Sequence, residues 1–260
     1  MLHHPPIGIE LDNKTRIVIV GATSAIAVQC ARLWASKKTA DLTLIGRDAE
    51  RLERVAADLR VRSPASSIRV HTGGFTQARD IEASIDTAMQ DGAPDIVLIA
   101  HGMLPEQQEC EQDLPACQAA LEINAISPVL FAEGFARRLA ARGHGTIAII
   151  GSVAGDRGRK SNYVYGAAKG LVDRYAQGLQ HRFAHSGVRV VLIKPGPTDT
   201  PMTAHLKGKG ARLASVESVG AAIVAAIDAG KAVAYVPAKW RLIMLVIRHL
   251  PAFVFNKLNI

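Results

Sequence analysis

Short runs of apolar, mostly β-branched residues recur along the chain, separated by longer stretches with helical spacing. The first, Arg16-Ile17-Val18-Ile19-Val20, is continuously apolar after Arg16 and stops at Gly21, as expected of a strand covered on both faces. Similar runs follow at 42–45, 68–71, 96–100, 146–150, 188–193 and 233–236. Between them, apolar positions at helical period predict helices over 24–36, 48–60, 77–90, 113–141, 162–185 and 215–229. Strict alternation of the two element types forces a parallel sheet, because each helix must cross one face before the next parallel strand begins. The expectation is a single doubly wound α/β domain spanning 15–237, with helices on both faces.

Composition narrows this only a little. With 48% apolar and 21% charged residues the chain can bury a core, which excludes a disordered protein. The net charge of +8 comes from scattered Lys and Arg, and aromatics make up only 5%, so no basic stripe with stacking platforms exists and nucleic acid is excluded as a partner. An anionic cofactor, a phosphorylated substrate or an acidic membrane surface fits the charge instead. Cys30, Cys110 and Cys117 have neither a disulfide framework's even count nor zinc-ligand spacing, so no metal is implied and a reducing, cytoplasmic setting is expected. Met1 to Lys14 carries Pro5 and Pro6 but no long apolar core, and reads as a flexible arm rather than a signal peptide.

Rossmann-like sheets bind ligands beyond the carboxyl ends of their strands, so the residues just after each strand are the candidates. After the first strand, Gly21-Ala22-Thr23-Ser24-Ala25-Ile26-Ala27 forms a turn opening a helix, whose free amides attract a pyrophosphate. Gly21, Thr23, Ser24, Ala25 and Ile26 are its expected contacts, although Ala25 and Ala27 stand where a dinucleotide fingerprint usually has glycine. The second strand ends in Gly46-Arg47-Asp48. At the strand end Gly46 offers no carboxylate to repel a phosphate, and Arg47 can fork onto a 2′-phosphate, which favours NADP over the alternative, NAD. A solvated Arg beside the helix-capping Asp48 is the plainer reading. Asn124, flanked by apolar residues within a helix, is expected to be buried as a structural hydrogen-bonder or as part of a site.

The fifth strand delivers Ser152 at its carboxyl end, and Tyr165-Gly166-Ala167-Ala168-Lys169 follows. Spacing of four on a helix puts Tyr165 and Lys169 on one face. An ammonium one turn away is expected to favour the phenolate and lower the tyrosine's proton affinity. A Tyr–Lys pair alone is a commonplace surface feature. The ordered set of Gly21 to Ala27, Asn124, Ser152, Tyr165, Lys169 and Pro195-Gly196 is not, and it resembles the short-chain dehydrogenase/reductase family over about 14–236. That resemblance implies a nicotinamide-dependent oxidoreductase in which Tyr165 is the general acid, Lys169 holds the nicotinamide ribose, Ser152 orients the carbonyl and Asn124 holds a relay water. It also implies that Ala100-His101-Gly102 occupies the place of the family's Asn-Asn-Ala-Gly turn, contributing Ala100 and Gly102, and that Pro195, Gly196 and Thr200 flank the carboxamide. Gly73-Gly74-Phe75 departs from the family, many of whose members have an Asp there for the adenine. Tyr163, lacking a Lys at plus four, is expected to line the substrate pocket or pack beneath it.

Within the family, residues 152–166, 203–207 and 238–251 resemble the branch of reductases acting on decaprenylphosphoryl-2-keto-ribose, an arabinose-donor precursor. That implies a ketosugar substrate that can be lipid-linked through a phosphate; Arg157, Arg159 and Lys160 are then either phosphate ligands or a solvated basic loop. From Ala238 to the end, an apolar helical tail carries Arg241, Arg248 and Lys257 and is too short to span a bilayer, for which ~20 residues are needed. It fits a peripheral membrane contact, a greasy substrate wall or an interface in a homo-oligomer. Two other functions remain open: a reductase of a hydrophobic 3-ketoacyl or sterol-like ketone, and a non-catalytic NAD(P)-binding regulator.

Overall fold

A computed structural model describes residues 14–37, 39–204 and 212–258. The expected arm at 1–14 lies, apart from Lys14, outside the described residues, as does most of 203–207. Seven parallel strands form one sheet: β1 (Thr15–Val20), β2 (Ala40–Gly46), β3 (Ser67–Thr72), β4 (Ile96–Ile99), β5 (His144–Ile150), β6 (Gly187–Pro195) and β7 (Val233–Val236). Their order is β3-β2-β1-β4-β5-β6-β7, so the winding reverses between β1 and β4. Val20 is registered with Ile45 on one side and Ile99 on the other, which brings Gly21, Gly46 and Ala100 to a common edge.

Helices cover both faces. On one face, α1 (Ala25–Lys37) and α2 (Ala49–Arg62) pack through Cys30, Trp34, Leu52 and Leu59, joined by Ile223 and Val224 of a later helix, Val216–Asp228. On the other, α3 (Ala78–Met89) contributes Ile81 and Ile85. Two short helices, α4 (Gln107–Gln112) and α5 (Leu114–Leu121), lead into α6 (Ser127–Arg142), and α7 (Tyr163–Arg182) completes that layer; Val216–Asp228 is α8. Phe131 and Phe135 of α6 are fully buried, each burial stabilising by roughly 1.5–3 kcal/mol. By length and composition the helical run Leu114–Arg142 could cross a membrane, but these phenylalanines and Leu139 are spent on the sheet.

The stretch expected as one helix over 113–141 is interrupted by a wide π-turn, Glu122–Ile126, in which the Ser127 amide bonds the Glu122 carbonyl. Pro128 explains its place. A proline four residues after Asn124 has no N–H for the Asn124 carbonyl and crowds it, so the helix widens there. Beyond β7, α9 (Lys239–His249) and α10 (Ala252–Phe255) form the C-terminal segment. Helix α9 is apolar on two sides, with Met244 buried inward and Leu242, Leu245 and Val246 50% or more exposed.

Candidate active site

A cleft runs along the carboxyl edge where the winding reverses, the place at which open α/β sheets take ligands. At one end, a cavity of about 270 Å³ is bordered by Gly21, Thr23, Ser24, Ala25, Ile26, Gly46, Arg47, Arg51, Phe75 and the 100–102 turn. Gly21 begins this half. Its φ of +79° is open to glycine, and a Cβ there would stand 2.6 Å from the His101 backbone nitrogen. The chain thereby enters α1 with that helix's first amides at the cleft, a cradle for an anion. The far wall carries Arg47 and also Arg51, which pattern reading missed because it lies one turn into α2. The Asp48 carboxylate caps α2 by accepting from the Arg51 amide at 2.9 Å.

His101 stands between the two halves. Its Nε2 bonds Ser127 Oγ at 2.8 Å, and its ring meets Phe75 and Phe131 edge to face. Burial, assisted by the Lys169 and Arg47 charges, pulls its pKa down to about 3, so the ring is neutral. Nδ1 is buried without a protein partner, leaving one unused polar atom beside the cleft.

A second cavity of about 270 Å³ continues from the first and is bordered by Ser152, Tyr165, Lys169, Arg159, Asn162, Pro195, Gly196 and Thr200. Ser152 caps the 3₁₀ turn Val153–Asp156, its Oγ accepting from the Ala154 amide at 3.1 Å. The Tyr165 phenol is beside Ser152, and Lys169 lies behind the tyrosine with Nζ 5.8 Å from the ring centroid. Lys169 Nζ donates to the Ile150 carbonyl at 3.0 Å. Asn124 is wholly buried in the π-turn, where its Nδ2 donates to the Ala120 carbonyl at 2.9 Å and its Oδ1 accepts the Met103 amide at 2.9 Å. Gly102 touches both: a Cβ there would be 2.8 Å from Asn124 Oδ1 and 3.7 Å from Lys169 Nζ. Ser152, Tyr165 and Lys169 therefore converge on one end of the cleft, with Asn124 buried next to Gly102 of its wall.

A family model for short chain dehydrogenases matches residues 15–210, three quarters of the chain. The chain belongs to the short-chain dehydrogenase family. An uncharacterized oxidoreductase of Mycobacterium tuberculosis is 32% identical over 248 residues, covering 93% of this chain and 96% of that one. Among solved structures, a short-chain dehydrogenase from Sphingobium yanoikuyae in complex with NADPH has the same fold, with a TM-score of 0.79 at 24% identity over 94% of this chain and 96% of that one. An NADPH-dependent 3-quinuclidinone reductase from Rhodotorula rubra matches with a TM-score of 0.73 at 22% identity, over 85% and 88%. The protein is an NAD(P)-dependent oxidoreductase, and the glycine turn, the helix amides and the paired arginines fit such a dinucleotide.

Three expectations for this short-chain dehydrogenase need correction. Tyr165 is not driven toward the phenolate: burial pushes its phenol up and the neighbouring Ser152 hydroxyl only opposes that. Burial acts on Lys169 as well, lowering its ammonium to a pKa of about 8 despite the countering Asp173 carboxylate. Arg157 is unavailable to a substrate phosphate. Its Nη1 donates to the Ile247 and Leu250 carbonyls at 2.6 Å, and its guanidinium stacks on Phe255 at 3.8 Å, capping the end of α9. Tyr163 is not among the residues bordering the pocket; it is 44% exposed, and burial and the Glu111 carboxylate of α4 push its phenol up.

Proposed function

We propose that the protein reduces a ketone with NADPH, the substrate being a ketosugar that carries an anionic group such as a phosphate. NADPH supplies the hydride. Tyr165, kept protonated by burial, donates the proton to the carbonyl oxygen, while Ser152 orients that oxygen through its hydroxyl. Lys169 and Asn124, both close to Gly102, would respectively hold the nicotinamide ribose and a relay water. Gly21, Thr23, Ser24, Ala25 and Ile26 would contact the pyrophosphate, Ala100 and Gly102 the adjoining ribose, and Pro195, Gly196 and Thr200 the carboxamide. Arg47 and Arg51 would receive the 2′-phosphate, which supports NADPH over NADH.

The observation that carries the substrate reading is Arg159. Its guanidinium borders the Tyr165 cavity, burial lowers its affinity for a proton, and its Nε has no protein partner. The neighbouring Asn162 Oδ1 is likewise buried and unused. A substrate offering an anion to Arg159 and a hydroxyl to Asn162 would complete both. Met103, Leu104, Val153 and Met202 on the same walls support the hydrophobic-ketone alternative. In full-length protein supplied with NADPH or NADH, ketopentose phosphates should be reduced faster than free ketopentoses or a neutral cyclic diketone, with NADPH preferred. Arg159→Ala should raise KM for the phosphates roughly 10- to 100-fold, the value of one charged hydrogen bond of about 1.5–3 kcal/mol, and spare the diketone. Equal losses on both substrates would remove the anion from the reading, and no turnover on any ketone would favour a binding-only regulator.

A lipid-linked form of this substrate would bring the enzyme to the inner face of the membrane. Residues 238–258 support that reading, since Leu242, Leu245, Val246 and Phe253 are exposed beside Arg241, Arg248 and Lys257 with no acidic residue among them. Removing the tail would disturb the site itself, because Arg157 is tied to α9 and Trp240 packs on Gly196. Leu242→Glu with Val246→Glu should instead abolish sedimentation with anionic vesicles while leaving reduction of soluble ketones intact. If those changes convert an oligomer to a monomer and vesicle binding was never present, the face belongs to a second copy of the chain.

A further inference from the structure

Behind the reactive groups lies a buried cluster of charges with no place in the chemistry just described. Tyr165, Lys169 and Asp173 follow one another at spacings of four along α7, so they share a face. The Asp173 carboxylate is bonded through Oδ2 to Lys194 of β6, and its Oδ1 is buried without a partner. Lys194 Nζ also donates to Asp156 Oδ1 at 2.5 Å. Asp156 ends the turn that Ser152 begins, and its Oδ2 accepts the Tyr235 hydroxyl of β7 at 3.0 Å. The side chains of Lys194, Asp156 and Asp173 are only 5%, 3% and 8% exposed. Arg248 of α9 approaches Asp156 at 3.9 Å from the surface side. The turn is pressed directly on α7, since a Cβ on Gly155 would lie 2.8 Å from the Lys169 carbonyl carbon and 3.0 Å from Asp173 Oδ2.

We propose that Asp173 is a positioning residue that keeps Lys169 charged, and that Lys194 holds it ionised while clasping the Ser152 turn against α7. The proposal rests on the reading of Ser152, Tyr165 and Lys169 as the reductase site.

Four buried charges are costly unless mutually compensated, and here two cations meet two carboxylates. A simpler way to join β6 to α7 would be apolar packing, as elsewhere on that sheet face. What apolar packing could not provide is a fixed negative charge behind Lys169. Burial opposes the Lys169 ammonium and the Asp173 carboxylate is what counters it. Burial also raises Asp173, against which Lys194 works. Lys194 itself, although buried, is held charged by the two carboxylates. Among the described residues, the other groups facing Lys169 bring no competing charge: Asn124 and the Ile150 carbonyl are neutral, Tyr165 is protonated, and His101 is uncharged through burial.

The sign follows directly. Removing the Asp173 charge lets burial act on Lys169 unopposed, so the ammonium is lost at lower pH. In cofactor-free, full-length protein labelled with [13C]lysine, the Lys169 Cε resonance, assigned by its disappearance in K169R, should titrate about one pH unit lower in D173N than in the parent. The alkaline limb of kcat with NADPH and a ketopentose phosphate should move by the same amount. K194R, which retains a cation between the carboxylates, should leave both titrations in place. A lower melting temperature in D173N with neither titration moved would reduce Asp173 to a structural residue and overturn the proposal. Because the resonance is read without turnover, the two readings fail separately: a shifted resonance alongside full activity in Tyr165→Phe would overturn the assignment of the site, not the electrostatic tie.

Discussion

Tyr165→Phe is expected to lose turnover by about 10²- to 10⁴-fold while binding NADPH almost as tightly as the parent, since the ring that shapes the cavity remains and only the proton donor goes. The site offers no ready substitute. The Ser152 hydroxyl is far too weak an acid at neutral pH, Lys169 Nζ donates to the Ile150 carbonyl, and the Asn124 amide has no titratable proton. Tyr163 is two residues away but turned toward α4. Initial rates with a ketopentose phosphate, set beside a fluorescence titration with NADPH, test this. Parent-like rates in the variant would exclude Tyr165 as the acid; a proportionate fall in cofactor affinity would point to a damaged pocket instead.

Gly21→Ala should be the most disruptive single methyl at the cofactor end. A non-glycine residue at φ +79° costs about 1–2 kcal/mol, and the added carbon would press on the His101 backbone and Cβ at 2.6 and 2.7 Å, for roughly 1–3 kcal/mol more. Neither neighbour can yield freely. The Gly21 amide is bonded to the Ile45 carbonyl at 2.8 Å, and His101 is pinned by Ser127 and between Phe75 and Phe131. The expected outcome is a melting temperature lowered by several degrees together with weakened NADPH binding. An unchanged melting temperature would mean that the turn can relax, and would loosen the argument that this glycine shapes the anion cradle.

The clasp around Lys194 and the cap supplied by Arg157 have a shared consequence: the C-terminal segment is built into the site. Tyr235 reaches Asp156 from β7, and Arg157, next in sequence, bonds the last carbonyls of α9.

Much of this molecule follows from the sequence alone, for reasons that are local. Continuous apolar runs such as 16–20 and 188–193 can be satisfied only by strands covered on both faces, and alternation with helices leaves a parallel sheet as the solution; the strands form where those runs lie. Spacing of four on a helix paired Tyr165 with Lys169, and the end of a buried strand exposed Ser152; that the three form one site was what the family resemblance implied. Asn124 was legible as buried, but not its π-turn, because the widening depends on Pro128 competing with the packing of α6. Only the tertiary structure decided the rest. Arg157 and Arg159 are two residues apart and look alike in sequence, yet one is consumed by α9, about 90 residues further on, and the other faces the cavity with an unused donor. Asp156, Asp173, Lys194 and Tyr235 come from four separate elements with no shared spacing, so no pattern announces them. Whether Lys169 lowers the proton affinity of Tyr165 was likewise not a matter of spacing. Charge effects depend on desolvation, and desolvation is set by everything packed around a group rather than by its neighbours along the chain.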